Sequence, residues 1–266
     1  MTDTGSARDP SRIWSTDPAL ELSHYTARRA FPLHFHAEGI VSVVVSGAAR
    51  VCVDGRSEMA DEGSIVVLEP ERAHLYQPVG AGGTRYRGFY VNAALLQGTL
   101  AGRRLASNVM RNGRLSWDLI ELHRSLEERP APAVVAAAKQ LVARVFDDAL
   151  LACAECVPPE EVQRVARDLR ERCAERLSWN DLARSVGVSA AHLARRFRSH
   201  FGVPPHLYQV QYRIARAKRL IQRRLGLATT ALDCGFSDQS HFTHQFTRYV
   251  GQTPGAFLRA QDSTRP

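Results

Sequence analysis

Cysteine is scarce in this chain of 266 residues: there are five, an odd number. That excludes a secreted disulfide scaffold, which is dense in paired cysteines. Cys153 and Cys156 form a lone CxxC. A structural zinc site needs four ligands and no second pair follows, so both read as small apolar residues of a helix. Long apolar runs are missing as well. The longest stretches, such as Gly39 to Ala49, are strand-length and fall short of the roughly 20 residues that span a bilayer. The polar start, Met1 to Arg12, lacks the apolar core of a signal peptide. Apolar residues make up 44% and charged ones 23%, close to globular averages, which excludes wholesale disorder. The expectation is a soluble, cytoplasmic protein long enough for two domains, each with its own core.

Excess positive charge is absent from the first 159 residues, which hold 17 Lys and Arg against 18 Asp and Glu. Residues 160–262 hold 17 against 9, so the formal net charge of +8 resides in the C-terminal part. A basic unit beside a near-neutral one points to a polyanionic partner for the basic half, although a solvated basic face would give the same count.

The first hundred residues read as β structure. Runs rich in Val, Ile and Tyr occur at Leu20–Thr26, Ile40–Val45, Ala49–Val53, Ser64–Leu68 and Arg85–Val91, separated by turn signals including Asp54-Gly55. Short strands at this spacing predict a small barrel or sandwich. From about Ser116 the period becomes helical, with Pro130 and Pro132 dividing two helices. The second, Val134 to Cys153, carries a broad apolar stripe (Leu141, Val142, Val145, Phe146, Ala149, Leu150) that needs a partner: the barrel, or the same helix of a second subunit. Pro158-Pro159 marks a boundary, and everything beyond reads helical. The expected division is 1–110, 111–157 and 158–262.

The last part contains a degenerate repeat. Ala183 to Ser189 aligns with Ala231 to Ser237 at an offset of 48, and Leu193, Phe197, Gly202 and Pro205 align with Phe242, Phe246, Gly251 and Pro254 at an offset of 49. In each copy a small residue lets two helices approach, a glycine (Gly187 or Gly235) ends the first helix, and a serine (Ser189 or Ser237) can cap the second. An apolar stripe at i, i+4, i+8 faces inward, and Gly202 or Gly251 stops the helix. This is a helix-turn-helix written twice. The outward faces offer Ala191, His192, Arg195, Arg198 and Ser199 in the first copy, and Gln239, Ser240, Thr243, His244 and Thr247 in the second. Arg and Gln suit guanine and adenine edges, each making two hydrogen bonds. Between the copies, Pro205 to Arg224 reads as one helix spanning roughly 30 Å, close to the roughly 34 Å between successive major-groove faces. Its run of Arg213, Arg216, Lys218, Arg219, Arg223 and Arg224 offers further phosphate contacts.

The stretch Asp233-Cys-Gly-Phe-Ser-Asp-Gln-Ser-His-Phe242, followed by Phe246, Gly251, Thr253 and Pro254, resembles the AraC/XylS family of transcription regulators over about residues 160 to 260. The resemblance implies a seven-helix DNA-binding domain, with Ala191, Arg195, Gln239, Ser240, Thr243 and His244 facing bases. Two positions depart from the family pattern. His244 stands where arginine is common, and Thr230 where a branched apolar residue is usual. In the N-terminal half, His34-Phe35-His36, Gly47, Gly63, Pro70, His74 and the stretch Gly83-Thr-Arg-Tyr-Arg-Gly-Phe-Tyr90 resemble the cupin barrel with which such regulators bind effectors.

In a strand His34 and His36 point to one side, where His74 can join them. Tyr76, Arg87 and Tyr90 are further pocket candidates. Three convergent histidines can bind a metal. Glu38, however, lies only two residues beyond His36, whereas the enzymatic cupin pattern places its glutamate further on. The preferred reading is therefore a small-molecule pocket with no metal and no cofactor, and a metal-dependent cupin enzyme is the alternative. The fold class expected is α+β in two domains: a cupin-like β-barrel followed by helices, then an all-α domain with two helix-turn-helix units. The expected partners are double-stranded DNA and a small-molecule effector, with RNA polymerase and a second copy of the chain as further candidates.

Overall fold

In a computed structural model, residues 8–13, 17, 19–54, 56–100, 103–151 and 158–262 are described. Cys153 and Cys156 lie outside the described residues. The β domain is built from β1 (Arg8–Ile13), β2 (Leu20–Ala27), β3 (Phe31–His34), β4 (Gly39–Ser46), β5 (Ala48–Val53), β6 (Arg56–Ala60), β7 (Ser64–Leu68), β8 (His74–Val79) and β9 (Thr84–Val91). Then come α1 (Ala93–Leu100), β10 (Arg104–Leu105), β11 (Val109–Arg111), α2 (Gly113–Glu128), α3 (Pro132–Ala149) and β12 (Leu150–Leu151). One antiparallel sheet runs β1-β2-β9-β4-β7-β11 and a second runs β3-β8-β5-β6. The two sheets enclose a core in the manner of a cupin without closing into one hydrogen-bonded barrel.

Strand parity explains the layers. Ile40, Val44, Val66, Leu68, Tyr86 and Tyr90 point between the sheets and join one buried core. Their neighbours Val41, Val43, Ile65, Val67, Phe89 and Val91 point the other way, into a core shared with α2 and α3. Both faces of β4 and β7 are therefore covered, which is why these strands read as continuous apolar runs rather than alternating ones. The stripe on α3 is spent on the protein's own sheet: Val142, Val145 and Phe146 are fully buried there. The helix also ends earlier than its periodicity suggests. Leu150 and Leu151 turn extended and pair with β10.

The C-terminal domain holds the seven helices expected: α4 (Glu160–Glu171), α5 (Trp179–Ser185), α6 (Ala190–Phe201), α7 (Pro205–Gln222), α8 (Leu227–Asp233), α9 (Gln239–Val250) and α10 (Pro254–Asp262). The turn glycines Gly187 and Gly235 have φ of 73° and 77°, the left-handed region that glycine occupies at little cost. Ser189 caps α6, its hydroxyl accepting from the His192 amide at 3.2 Å. In the second unit the cap is one residue later than expected. Asp238, not Ser237, accepts from the His241 amide at 2.7 Å, and Ser237 donates to the Asp238 carboxylate. A carboxylate beside free helical amides gains from the helix dipole as well as from the hydrogen bond.

Two cores lie side by side in this domain. The first gathers α4, α5, α6 and the start of α7 (Tyr208, Tyr212). The second gathers the rest of α7 (Ile214, Ala217, Ile221) with α8, α9 and α10. Helix α7 is thus a common spine, 18 residues and roughly 27 Å long. Thr230 is fully buried beside the second core, and its hydroxyl has no hydrogen-bond partner among the described residues. A buried hydroxyl left unpaired costs about 1–3 kcal/mol. Thr230→Val should therefore raise unfolding stability by about 1 kcal/mol, read from denaturant midpoints at an unchanged m-value.

Candidate nucleic-acid interface and effector site

The outward faces of α6 and α9 are built as their sequences require. Leu193 and Phe197 on α6, and Phe242 and Phe246 on α9, are fully buried. This turns Ala191, Arg195 and Arg198 outward on α6, and Gln239, Ser240 and His244 outward on α9, all exposed. His192 and Thr243 are half-buried at the edges of these faces. No described ion pair or hydrogen bond engages the side chains of Arg195, Arg198, Gln239 or His244. Arg196, one step round the helix, is instead tied to Glu161 of α4.

The three histidines do converge. His34 and His74 are direct cross-strand partners of β3 and β8. Their rings lie 4.4 Å apart, and His36 adds contacts of 4.9 and 5.2 Å. All three are buried. Tyr90 packs edge-on against His36 at 5.4 Å. Tyr76 sits deeper between the sheets, edge-on to Tyr86, where burial pushes its phenol pKa upward. Arg87 is not with them. It projects from the opposite face of β9, toward α2, and pairs with Glu127 at 2.7 Å while facing His123 at 3.1 Å. Burial raises the Glu127 pKa, but hydrogen bonds from His123 and Arg87 outweigh it and hold the carboxyl at about 2. That network fastens α2 to the sheet, so Arg87 is structural.

Residues 18–151 match a family model described as an AraC-like ligand binding domain, and residues 182–260 match a helix-turn-helix domain. The first match alone spans half of the chain. The chain belongs to the AraC family of transcription regulators. Relatives extend along most of its length. The uncharacterized HTH-type transcriptional regulator YbfI of Bacillus subtilis (strain 168) is 27% identical over 249 residues, covering 88% of this chain and 90% of that protein. The HTH-type transcriptional activator RhaS of Pectobacterium carotovorum subsp. carotovorum (strain PC1) is 25% identical over 273 residues, covering 90% and 91%. The crystal structure of ToxT from Vibrio cholerae O395 shares the fold, with a TM-score of 0.66 at 12% identity over 92% of this chain and 99% of that one. Among the described residues no helix is long and apolar enough to cross a membrane.

In this AraC-family chain the two domains share a core. Phe35, between His34 and His36, points away from the histidines and into the first helix-turn-helix core, 5.0 Å from the Tyr208 ring and 5.6 Å from that of Tyr212. Ala73, next to His74, joins the same cluster. The loop between β7 and β8 supplies the polar part. The Glu71 carboxylate accepts hydrogen bonds from Tyr208 at 2.6 Å, from Tyr212, and from Arg170 at 2.6 Å. Arg72 donates to the carbonyl of His200 at the end of α6. His200 is held neutral, its pKa lowered to about 4 by burial and by the charges of Arg104 and Arg72. His34 and His36, with Glu21 and Glu38, line a cleft closed by Gln211, Lys218 and Arg219 of α7 and by Tyr249 at the end of α9; His74 lies behind them, outside its lining.

The signal for Phe35 was present in strand alternation. If His34 and His36 face the pocket, the residue between them must face out, and a buried aromatic there needs a partner domain. Glu71 carried no such signal.

Proposed function

We propose that this AraC-family regulator reads DNA with the exposed faces of α6 and α9 and that occupancy of the histidine cleft sets how these helices are presented. Arg195 and Arg198 on α6, and Gln239, Ser240, Thr243 and His244 on α9, are the groups assigned to bases and to adjacent phosphates, with His192 at the edge. The effector site is assigned to His34, His36, His74 and Tyr90, with Tyr76 behind them. The observation that carries the coupling is the shared core: side chains alternating with the site histidines are packing partners of α6 and α7. A ligand that prefers one spacing between the β domain and α7 shifts the population of DNA-competent arrangements by its differential affinity. Contact with RNA polymerase belongs to the same reading. The inner stripe of α3 is already occupied and is not open to a second copy of the chain; the face assigned to a homodimer is the outer groove between α2 and α3, where Trp117 is 60% exposed.

The test is binding to duplex DNA across a salt series. The logarithm of affinity should fall with the logarithm of salt by several units, as counterions leave the contacted phosphates. Arg195→Ala should cost roughly 1–3 kcal/mol, confined to one base pair of the operator. A uniform loss on every sequence would reassign Arg195 to phosphate, and no retention of duplex at low ionic strength would remove the regulatory assignment.

A further inference from the structure

We propose that His34, His36 and His74 hold a divalent first-row transition-metal ion, with Zn(II) as its representative, in an open three-imidazole site at the mouth of the β domain. This reverses the metal-free expectation drawn from sequence spacing, and it does not depend on how the protein contacts DNA. Geometry is the first ground. One ligand-capable nitrogen from each of the three buried rings lies within 4.8 Å of the others. Tetrahedral coordination at about 2.0–2.1 Å brings such nitrogens to roughly 3.4 Å. Two of the ligands sit on directly paired strands, which holds their backbones side by side, and side-chain rotation would supply the remaining contraction.

Ring orientation is the second ground. Nδ1 of His34 lies 2.8 Å from the Pro32 carbonyl oxygen, and Nδ1 of His74 lies 2.9 Å from that of Arg72. A carbonyl only accepts, so in both rings Nδ1 is the donor and the coordinating role falls to Nε2. A backbone carbonyl holding the far nitrogen is the usual outer support of a metal-bound histidine. The room available is the third ground. The cleft that His34 and His36 line against α7 has about 40 Å³ of free space, whereas sites for drug-sized ligands offer roughly 300–1,000 Å³ and a single water needs about 10–15 Å³. That space takes one or two waters beside the ligands His34 and His36, whereas a larger organic molecule does not enter until α7 moves. The ligand cluster itself is three imidazoles, which favour zinc, copper, nickel or iron over magnesium and calcium, while Glu21 and Glu38 line the adjoining cleft. Three protein ligands also leave a coordination position for water or for an effector's oxygen.

The consequence is mechanical. A metal would clamp β3 to β8 and fix Phe35 and the loop bearing Glu71 and Arg72, which are the contacts that seat α6 and α7. In the competing view the three rings are packing residues with no ion.

The decisive experiment uses the full chain freed of metal by a chelator. Cobalt(II) titration should give visible ligand-field bands that saturate at one equivalent per chain, without a thiolate charge-transfer band. X-ray absorption of the zinc-loaded wild type should show nitrogen scatterers of imidazole type at about 2.0 Å. The bands should persist in Cys153→Ser/Cys156→Ser, and binding should weaken at least roughly 100-fold in His34→Ala and in His74→Ala. Absence of bands on the folded wild type overturns the site, as do sulfur scatterers at about 2.3 Å or bands that survive both histidine variants. The wild-type spectra need no variant to fold. Retention of duplex DNA by the metal-free chain keeps the two readings apart: a missing metal leaves it intact, and its own loss leaves the metal bands intact.

Discussion

Glu71→Ala is expected to uncouple the β domain from the DNA-binding domain at a cost of roughly 2–5 kcal/mol. Glu71 stands between the two: its amide donates to the His36 carbonyl at 2.7 Å, and its carboxylate receives Tyr208, Tyr212 and Arg170. Arg170 adds little by itself, because 43% of its side chain meets water. The phenols decide the magnitude. Tyr208 is fully buried and Tyr212 is 7% exposed; burial and the facing carboxylate push both phenol pKa values upward, so both remain donors throughout the physiological range. Without Glu71 two buried hydroxyls lose their acceptor at about 1–3 kcal/mol each. The loss falls on the docked arrangement, since each domain keeps its own core. Calorimetry should therefore resolve one transition into two, and any effector dependence of DNA affinity should flatten. Glu71→Gln retains one acceptor oxygen and should fall between. A single unshifted transition in Glu71→Ala would show that the apolar contacts of Phe35 and Ala73 suffice to join the domains.

How much of this was legible beforehand follows from which interactions are local. The second helices of the repeat were legible because glycine stops, caps and the i, i+4, i+8 stripe all lie within a dozen residues. Even the misplaced cap is a local matter: Ser237 and Asp238 are adjacent and both competent, and the helix begins after the stronger acceptor. His34 and His36 were legible from strand period, but their meeting with His74 depends on β3 pairing with β8 across 40 residues, which no local pattern encodes. Arg87 was misjudged although parity argued against it. It lies three residues from Tyr90 in one strand, so the two must face opposite sides. Strand alternation pointed Phe35 outward, but the docking of the domains through Glu71 and Arg72 was invisible, because it depends on two finished surfaces rather than on either sequence segment.

Arg213 illustrates the same limit and supports the second large prediction. In the sequence it is one cation of a basic helix and reads as a phosphate contact. In the fold it lies where α7 passes from the first core (Tyr212) to the second (Ile214). Its guanidinium donates to the carbonyls of Cys173 at 2.6 Å, Glu175 at 3.0 Å and Gly235 at 2.7 Å, and it rests 6.0 Å from the centre of the Phe236 ring. One side chain thus ties the α4–α5 loop of the first unit to the turn glycine of the second, and desolvation there lowers its pKa. Gly235 is pressed into the same junction: a Cβ at that position would stand 2.1 Å from the Ala174 carbonyl oxygen. The relative placement of α6 and α9 rests on this staple. Arg213→Ala should therefore lower affinity for a two-site operator by at least about tenfold, or 1.4 kcal/mol, while affinity for an isolated half-site changes little. The salt slope separates the two roles. If Arg213 met a phosphate, its removal would reduce the slope by about one unit. Removal of a staple leaves the slope unchanged, since the same phosphates are still met, only by helices no longer held one groove apart. Arg216, Arg219, Arg223 and Arg224 are exposed on the same helix or just beyond its end and provide the contrast, because any of them that meets the DNA backbone should lower the slope when removed and spare the spacing preference.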